Sequence, residues 1–248
     1  MLFWLATMAV LAAASAVAQT ENSALLVGVV TVPATFVLTL LFLRWERASL
    51  SDYGFDLSWA SCGHFGMGLL IGFALVGAHT SLLALGGGVH WVRTSGFAAS
   101  NLLTILAYLL LATREELAFR GYPLRKLALE IDWWVALIIV SVLFTVEHRL
   151  GGATWTNAFI GSGMGSLVFG MAALATRGLA LPIGLHAAWN VGDWARGGKE
   201  EGGLWRMVVD PASVNRTAVW AMLSYVLVMV IAFAGLWLCH RRTQSGRR

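Results

Sequence analysis

The chain has 248 residues, of which 58% are hydrophobic and 12% charged, with a mean hydropathy of +0.73 and a formal net charge of +4. Soluble domains carry about 25% charged residues, so this composition excludes an ordinary water-soluble globule and points to a multi-pass membrane protein. The positive charge sits largely in short clusters, including the tail RRTQSGRR, of the kind that meet anionic lipid headgroups; a nucleic-acid partner is not indicated.

A helix needs about 20 mostly apolar residues to cross a bilayer, and fewer where other helices surround it. In chain order that rule predicts eight spans, at 2–18, 24–43, 64–85, 100–113, 132–147, 155–175, 181–195 and 217–239. The expected fold class is all-α: a transmembrane helical bundle forming one integral membrane domain over 1–248, without internal repeat or linker. The first run has a competing reading, because AVAQ at 16–19 offers a signal-peptidase site. A retained span is preferred, since no Lys or Arg precedes the apolar stretch. Between the fourth and fifth spans, 114–131 (REELAFRGYPLRKLALEI) mixes charged and apolar positions at helical spacing. It is predicted as an amphipathic helix entering from the interface, bent or broken at Gly121 and Pro123.

Eight spans place both termini on one side. That side collects eleven Lys and Arg (Arg44, Arg47, Arg114, Arg120, Arg125, Lys126, Arg177, Arg241, Arg242, Arg247, Arg248), against six on the other (Arg93, Arg149, Arg196, Lys199, Arg206, Arg216). The positive-inside rule then makes the termini cytoplasmic, and the Ala, Gly and Trp richness suggests a bacterial plasma membrane. Cys62 and Cys239 fall near the cytoplasmic face, match no metal pattern and read as incidental thiols. The numerous Trp residues near span ends, among them Trp45, Trp59, Trp91, Trp133, Trp134, Trp155, Trp194, Trp205 and Trp237, read as interfacial anchors.

Six polar residues stand out against this apolar background: Glu115, Glu116 and Arg120 in REELAFR, His148 in FTVEH, and His186 with Asn190 in HAAWN. An ionisable group costs roughly 2.5 to 3.5 kcal/mol to place in a span, so several together mark a functional site. Glu116 and Arg120 are four apart and share a helix face, so Arg120 is expected to pair with Glu116 and orient it. Glu115 lies about 100° around the helix with no basic residue three or four positions on, an unpaired carboxylate suited to a general base. His148, four residues after Phe144, can share a water with it. His186 and Asn190 repeat the spacing and supply donors for an oxyanion. Each group alone is commonly structural: Glu–Arg pairs stabilise helices, and a membrane His or an HxxxN pair can be interhelical glue. Glue does not require acid, base and donor on separate helices.

The ordered set EExxxR (Glu115 to Arg120), FxxxH (Phe144 to His148) and HxxxN (His186 to Asn190) resembles the CAAX prenyl protease type II and bacteriocin-processing family, also called the ABI or CPBP family, over about 100–195. The resemblance implies an intramembrane glutamic endopeptidase whose helices enclose a hydrophilic cavity open to the cytosol. Glu115 and His148 would activate water, His186 and Asn190 would form the oxyanion site, and Glu116 with Arg120 would order the glutamate helix. The implied partner is a membrane-tethered or lipidated protein or peptide substrate within the lipid bilayer, cut near its C-terminus: CAAX-type processing, sorting-tail removal or peptide maturation.

A zinc cofactor is the alternative chemistry, with Glu115, His148 and His186 as ligands; the metal-free reading is preferred because there is no HExxH and Asn190 is a poor zinc ligand. A non-catalytic immunity or scaffold protein that binds a membrane peptide is the competing functional class. A proton relay or transporter is disfavoured by the lack of an inverted repeat. His64, His79, His90 and His240 read as interfacial or interhelical, Asp193, three residues after Asn190, as a solvated helix-end carboxylate in preference to a lining of the cavity mouth, and Glu147 as pointing away from the site.

Overall fold

The computed structural model describes residues 1–18, 23–55, 58–94, 96–199 and 203–245 of the chain. Gln19 of the AVAQ stretch and the tail residues Arg247 and Arg248 lie outside the described residues. In order the elements are α1 (Leu2–Val17), α2 (Ser23–Glu46), α3 (Trp59–Gly86), β1 (Val89–Arg93), α4 (Ala99–Glu116), a π-helical segment (Leu117–Gly121), α5 (Tyr122–Glu130), α6 (Trp133–Leu150), a second π-helical segment (Asn157–Gly163), α7 (Met164–Thr176), α8 (Ala180–Ala195), β2 (Trp205–Val209) and α9 (Val214–Ser245). Each of the eight predicted spans falls on a helix of this all-α bundle.

Five stretches are long and apolar enough to cross a bilayer among the described residues: Ser23–Glu46, Trp59–Gly86, Trp133–Leu150, Asn157–Thr176 and Pro211–Ser245. The protein is an integral membrane protein. α8, at 16 residues, is shorter than a free span; it is the helix the others surround, with Leu181, Leu185, Ala187 and Ala188 buried. α1, also 16 residues, packs its Phe3 against Phe42 of α2 and Tyr122 of α5.

The segment 114–131 departs from its prediction in part. The chain leaves helical geometry at Gly121 (φ −69°, ψ −105°), in line with the expected bend at Gly121 and Pro123, but all five residues Leu117–Gly121 are buried together with Tyr122 and Leu124. The π segment is a core element, whereas α5 leaves Leu129 and Glu130 exposed at the edge of the bundle. Pro123 sits in the first turn of α5, where its missing N–H has no helical partner to lose, and the π turn absorbs the change of register. Glu115 thereby sits inside the packed bundle, with its Oε2 buried.

α8 lies against α3 through small residues. A Cβ added to Gly184 would collide with the Phe65 carbonyl, and one added to Gly68 with the Leu181 carbonyl. Small residues are the usual device for bringing helix backbones together in lipid, where apolar burial alone does not drive helices to associate. The main core joins the π segment, α5, α6, α7, α8 and α9 through Phe119, Leu124, Leu137, Val140, Phe144, Phe169, Met171, Leu185 and Met229. β1 and β2, unforeseen in the sequence reading, form a two-stranded antiparallel ribbon with Val89 opposite Val209 and Arg93 opposite Trp205. This ribbon caps the end of the bundle reached by the C-termini of α3 and α8 and the N-terminus of α9. α5 and the C-termini of α2 and α7 lie at the other end.

Of the tryptophans predicted as anchors, Trp59 (92% exposed) and Trp45 (71%) face outward, but Trp194 is 2% exposed and belongs to the interior.

Candidate functional site

Three helical elements converge at mid-depth. At the junction of α4 with the π segment, Glu116 and Arg120 are fully buried, and Arg120 Nη1 donates to Glu116 Oε1 at 3.0 Å. The same Glu116 oxygen accepts from His186 Nδ1 of α8 at 2.8 Å. Arg120 is completed by α7, where its Nη2 donates to the Ser166 hydroxyl at 2.6 Å and to the Ser166 carbonyl at 3.1 Å. Its guanidinium carbon lies 4.5 Å from the centre of the Phe144 ring. Such a cation is held by hydrogen bonds and an aromatic face together.

This chain of contacts aims His186. With Nδ1–H given to Glu116 and the ring stacked on Phe169 at 4.3 Å and 17°, the imidazole presents Nε2 toward Glu115, 3.6 Å from Glu115 Oε2. Glu115 Oε2 is itself buried and accepts no hydrogen bond from the described residues. The expectation that Glu115 stands electrostatically alone is corrected: His148, His186, Arg114 and Arg120 all lie within range of its charge. The partners come from other helices or from one residue away, so spacing along one helix face could not show them.

His148 rides one turn above Phe144, its ring 4.3 Å from the phenyl ring. Its Nδ1 meets the Phe144 carbonyl at 3.0 Å, and a carbonyl only accepts, so Nδ1 carries the proton. In the neutral ring Nε2 is then left with a free lone pair. Asn190, one turn beyond His186 on α8, receives Lys199 Nζ on its Oδ1 at 3.4 Å, which leaves the amide nitrogen to donate elsewhere.

His148, His186 and Asn190 line a cavity of about 850 Å³ together with Trp189, Asp193 and Tyr225. Glu115, Glu116 and Arg120 stand behind this wall, reached through His186. The cavity extends along the last turns of α8 to Lys199 and Met207, so it faces the ribbon end of the bundle. That end carries the six-residue charge set, whereas the charge bias places the opposite end in the cytosol; the expected orientation and a cavity open to the cytosol therefore exclude one another. The bias is also weaker than counted, because Arg114 and Arg120 are buried, which reduces eleven against six to nine against six.

Two residues set aside in the sequence, His79 and Asp193, line this cavity, and Glu147, as expected, points away from it. His79 lines the cavity, accepting from Arg196 Nη2 at 3.0 Å and pairing with the Ala221 carbonyl at 3.2 Å. Asp193 is not solvated: it holds Arg196 through Nε at 2.9 Å and Nη2 at 2.7 Å, with 14% of its side chain exposed. Glu147 is buried against Arg114 in a two-pronged ion pair. Ser166 and Phe169 were missed altogether, and neither residue type carries a signal in an apolar helix. His90 and His240 agree with their modest readings, the first beside Asp210 at 3.8 Å and the second on the Leu174 carbonyl at 3.3 Å.

The possible zinc ligands Glu115, His148 and His186 do not assemble as a ligand set: no three His, Cys, Asp or Glu side chains converge at metal-binding distances among the described residues.

Comparison with curated proteins and with solved structures gives no match. A family model described as Rce1-like, type II CAAX prenyl endopeptidase Rce1-like, matches residues 97–192. That segment contains Glu115, Glu116, Arg120, His148, His186 and Asn190, and at the family level it denotes a CAAX-type intramembrane protease. Over residues 97–192 the chain is thus similar to the Rce1-like type II CAAX prenyl endopeptidases.

Proposed function

We propose that the protein is an intramembrane endopeptidase that cuts a membrane-tethered or lipidated protein near its C-terminus, using water activated by Glu115 and His148. The observation that carries this reading is the relay from Arg120 through Glu116 to His186, which ends 3.6 Å from a buried Glu115 oxygen that accepts no hydrogen bond among the described residues. An acceptor left open close to a cavity is the setting in which a carboxylate polarises water.

In the proposed sequence, Glu115 takes a proton from the water while its oxygen attacks the scissile carbonyl carbon. His148 Nε2, an acceptor by virtue of the Phe144 carbonyl on Nδ1, holds the other proton of that water. Negative charge develops on the former carbonyl oxygen and is met by the Asn190 amide nitrogen and by protonated His186 Nε2, whose Nδ1–H is already given to Glu116. The proton on Glu115 then passes to the leaving nitrogen as the carbon–nitrogen bond breaks. No covalent enzyme intermediate is required, and no metal takes part.

The test is cleavage of membrane-tethered reporters, prenylated and unprenylated, by purified protein in liposomes, with and without a chelator. The reading expects cleavage that survives the chelator and is lost in Glu115→Gln. Loss with chelator and restoration by zinc would replace the glutamate mechanism with a metal-assisted one. Cleavage undiminished in Glu115→Gln would remove the site assignment.

A further inference from the structure

We propose that the Arg114–Glu147 ion pair positions Glu115 against His148, making both residues positioning residues of the proposed hydrolase; the inference rests on the functional reading above. The two members flank the proposed water-activating pair in sequence, Arg114 just before Glu115 and Glu147 just before His148. They join α4 to α6 across 33 residues of chain, Nη1 to Oε1 and Nη2 to Oε2, the latter at 3.4 Å.

Their burial argues that the pair is more than decoration. Side-chain exposure is 2% for Arg114 and 6% for Glu147, and neither makes a second ion pair among the described residues. Losing one member would leave an uncompensated charge inside the bundle. α4 and α6 pack little against each other directly, so the connection at this level is made by long side chains. On one side of Glu115, Phe119 meets Phe144 edge to face at 5.0 Å. On the other side, the guanidinium–carboxylate fork fixes both distance and orientation, as two parallel hydrogen bonds do and a point charge does not.

The pair also sets the local charge. Arg114 and Glu147 both act on Glu115, and Glu147 acts on His148.

The experiment compares Glu147→Gln, Arg114→Lys and the exchanged variant Arg114→Glu/Glu147→Arg with wild type and Glu115→Gln. Melting temperature in detergent is measured together with kcat and KM on a cleaved tethered reporter. Misplacing a reacting group by about 1 Å can cost ~10²-fold, so Glu147→Gln and Arg114→Lys should lower kcat by roughly that factor while KM stays within about twofold. The exchanged variant should recover at least about tenfold of the loss, because the fork is rebuilt with its polarity reversed. A purely structural pair would lower the melting temperature and leave the kcat of the folded fraction unchanged, which overturns the proposal. So does wild-type kcat in folded Arg114→Lys, or a loss confined to KM. Wild-type turnover in Glu115→Gln would instead overturn the functional reading; an inactive Glu115→Gln beside fully active pair variants overturns the positioning proposal alone.

Discussion

Two polar clusters of this bundle hold a carboxylate among neighbours, and they treat it differently. At the α5 end, Glu46 accepts from Tyr122 at 2.5 Å and Tyr53 at 3.3 Å and pairs with Lys126 at 3.0 Å. Both oxygens are used, Lys126 is partly open to solvent, and Tyr122 stacks on Tyr53 at 5.5 Å in a small aromatic core. At mid-depth, Glu115 and Glu116 each retain a buried Oε2 that accepts no hydrogen bond from the described residues, although cations stand close by. A fully used carboxylate at the membrane edge ties elements together. A partly used one beside a cavity keeps acceptor capacity for a reactant, and it is tolerated because Arg120, His186 and Ser166 hold the surrounding framework rigid.

The contrast can be broken first at its functional pole. Glu115→Gln preserves volume and removes the basic oxygen; it should lower kcat by about 10³-fold, within the range for loss of a general base, with little change in melting temperature. Next, Gly184→Ala perturbs the scaffold two residues before His186. The added methyl meets the Phe65 carbonyl and the Leu69 nitrogen, so overpacking should cost about 1–3 kcal/mol in thermal or denaturant unfolding and lower activity with it. The smallest effect belongs to the closed cluster. Tyr122→Phe deletes the hydrogen bond to Glu46 and should cost about 1 kcal/mol without altering kcat.

That last variant also has a pH signature. Burial, and then the hydrogen bond to Glu46, raise the Tyr122 phenol above its ordinary value. The stability this represents is fully present below about pH 10, where the unfolded phenol keeps its proton, and is lost as pH rises toward the folded value. Melting temperature of wild type should therefore fall above pH 10 more steeply than that of Tyr122→Phe; parallel curves would contradict the assignment.

Much of the bundle was legible because spans announce themselves by length and hydropathy, and each predicted span lies on a helix. The motif residues were legible because Glu116 with Arg120, Phe144 with His148, and His186 with Asn190 are each four apart and share a helix face, while Glu115 stands out as a second acid in an apolar stretch. What stayed hidden lies between helices. The acceptor for Arg114 is 33 residues away on α6, and the serine that completes Arg120 is 46 residues away on α7. One signal was available: Glu147 is an acid in an apolar span with no Lys or Arg at helical spacing on α6, so burial demands a cation from elsewhere. The bend at Gly121 and Pro123 was legible, but the π turn before it has no composition signature, and with it went the burial of Leu117–Gly121.

The most direct measurement sets the two poles against each other on one substrate: cleavage of a tethered reporter in liposomes by wild type, Glu115→Gln and Tyr122→Phe, each shown to be folded by its melting curve. The account predicts that Tyr122→Phe, though less stable, cleaves at the wild-type rate, while Glu115→Gln, fully stable, does not cleave. Equal cleavage by all three would contradict the claim that Glu115 activates the water.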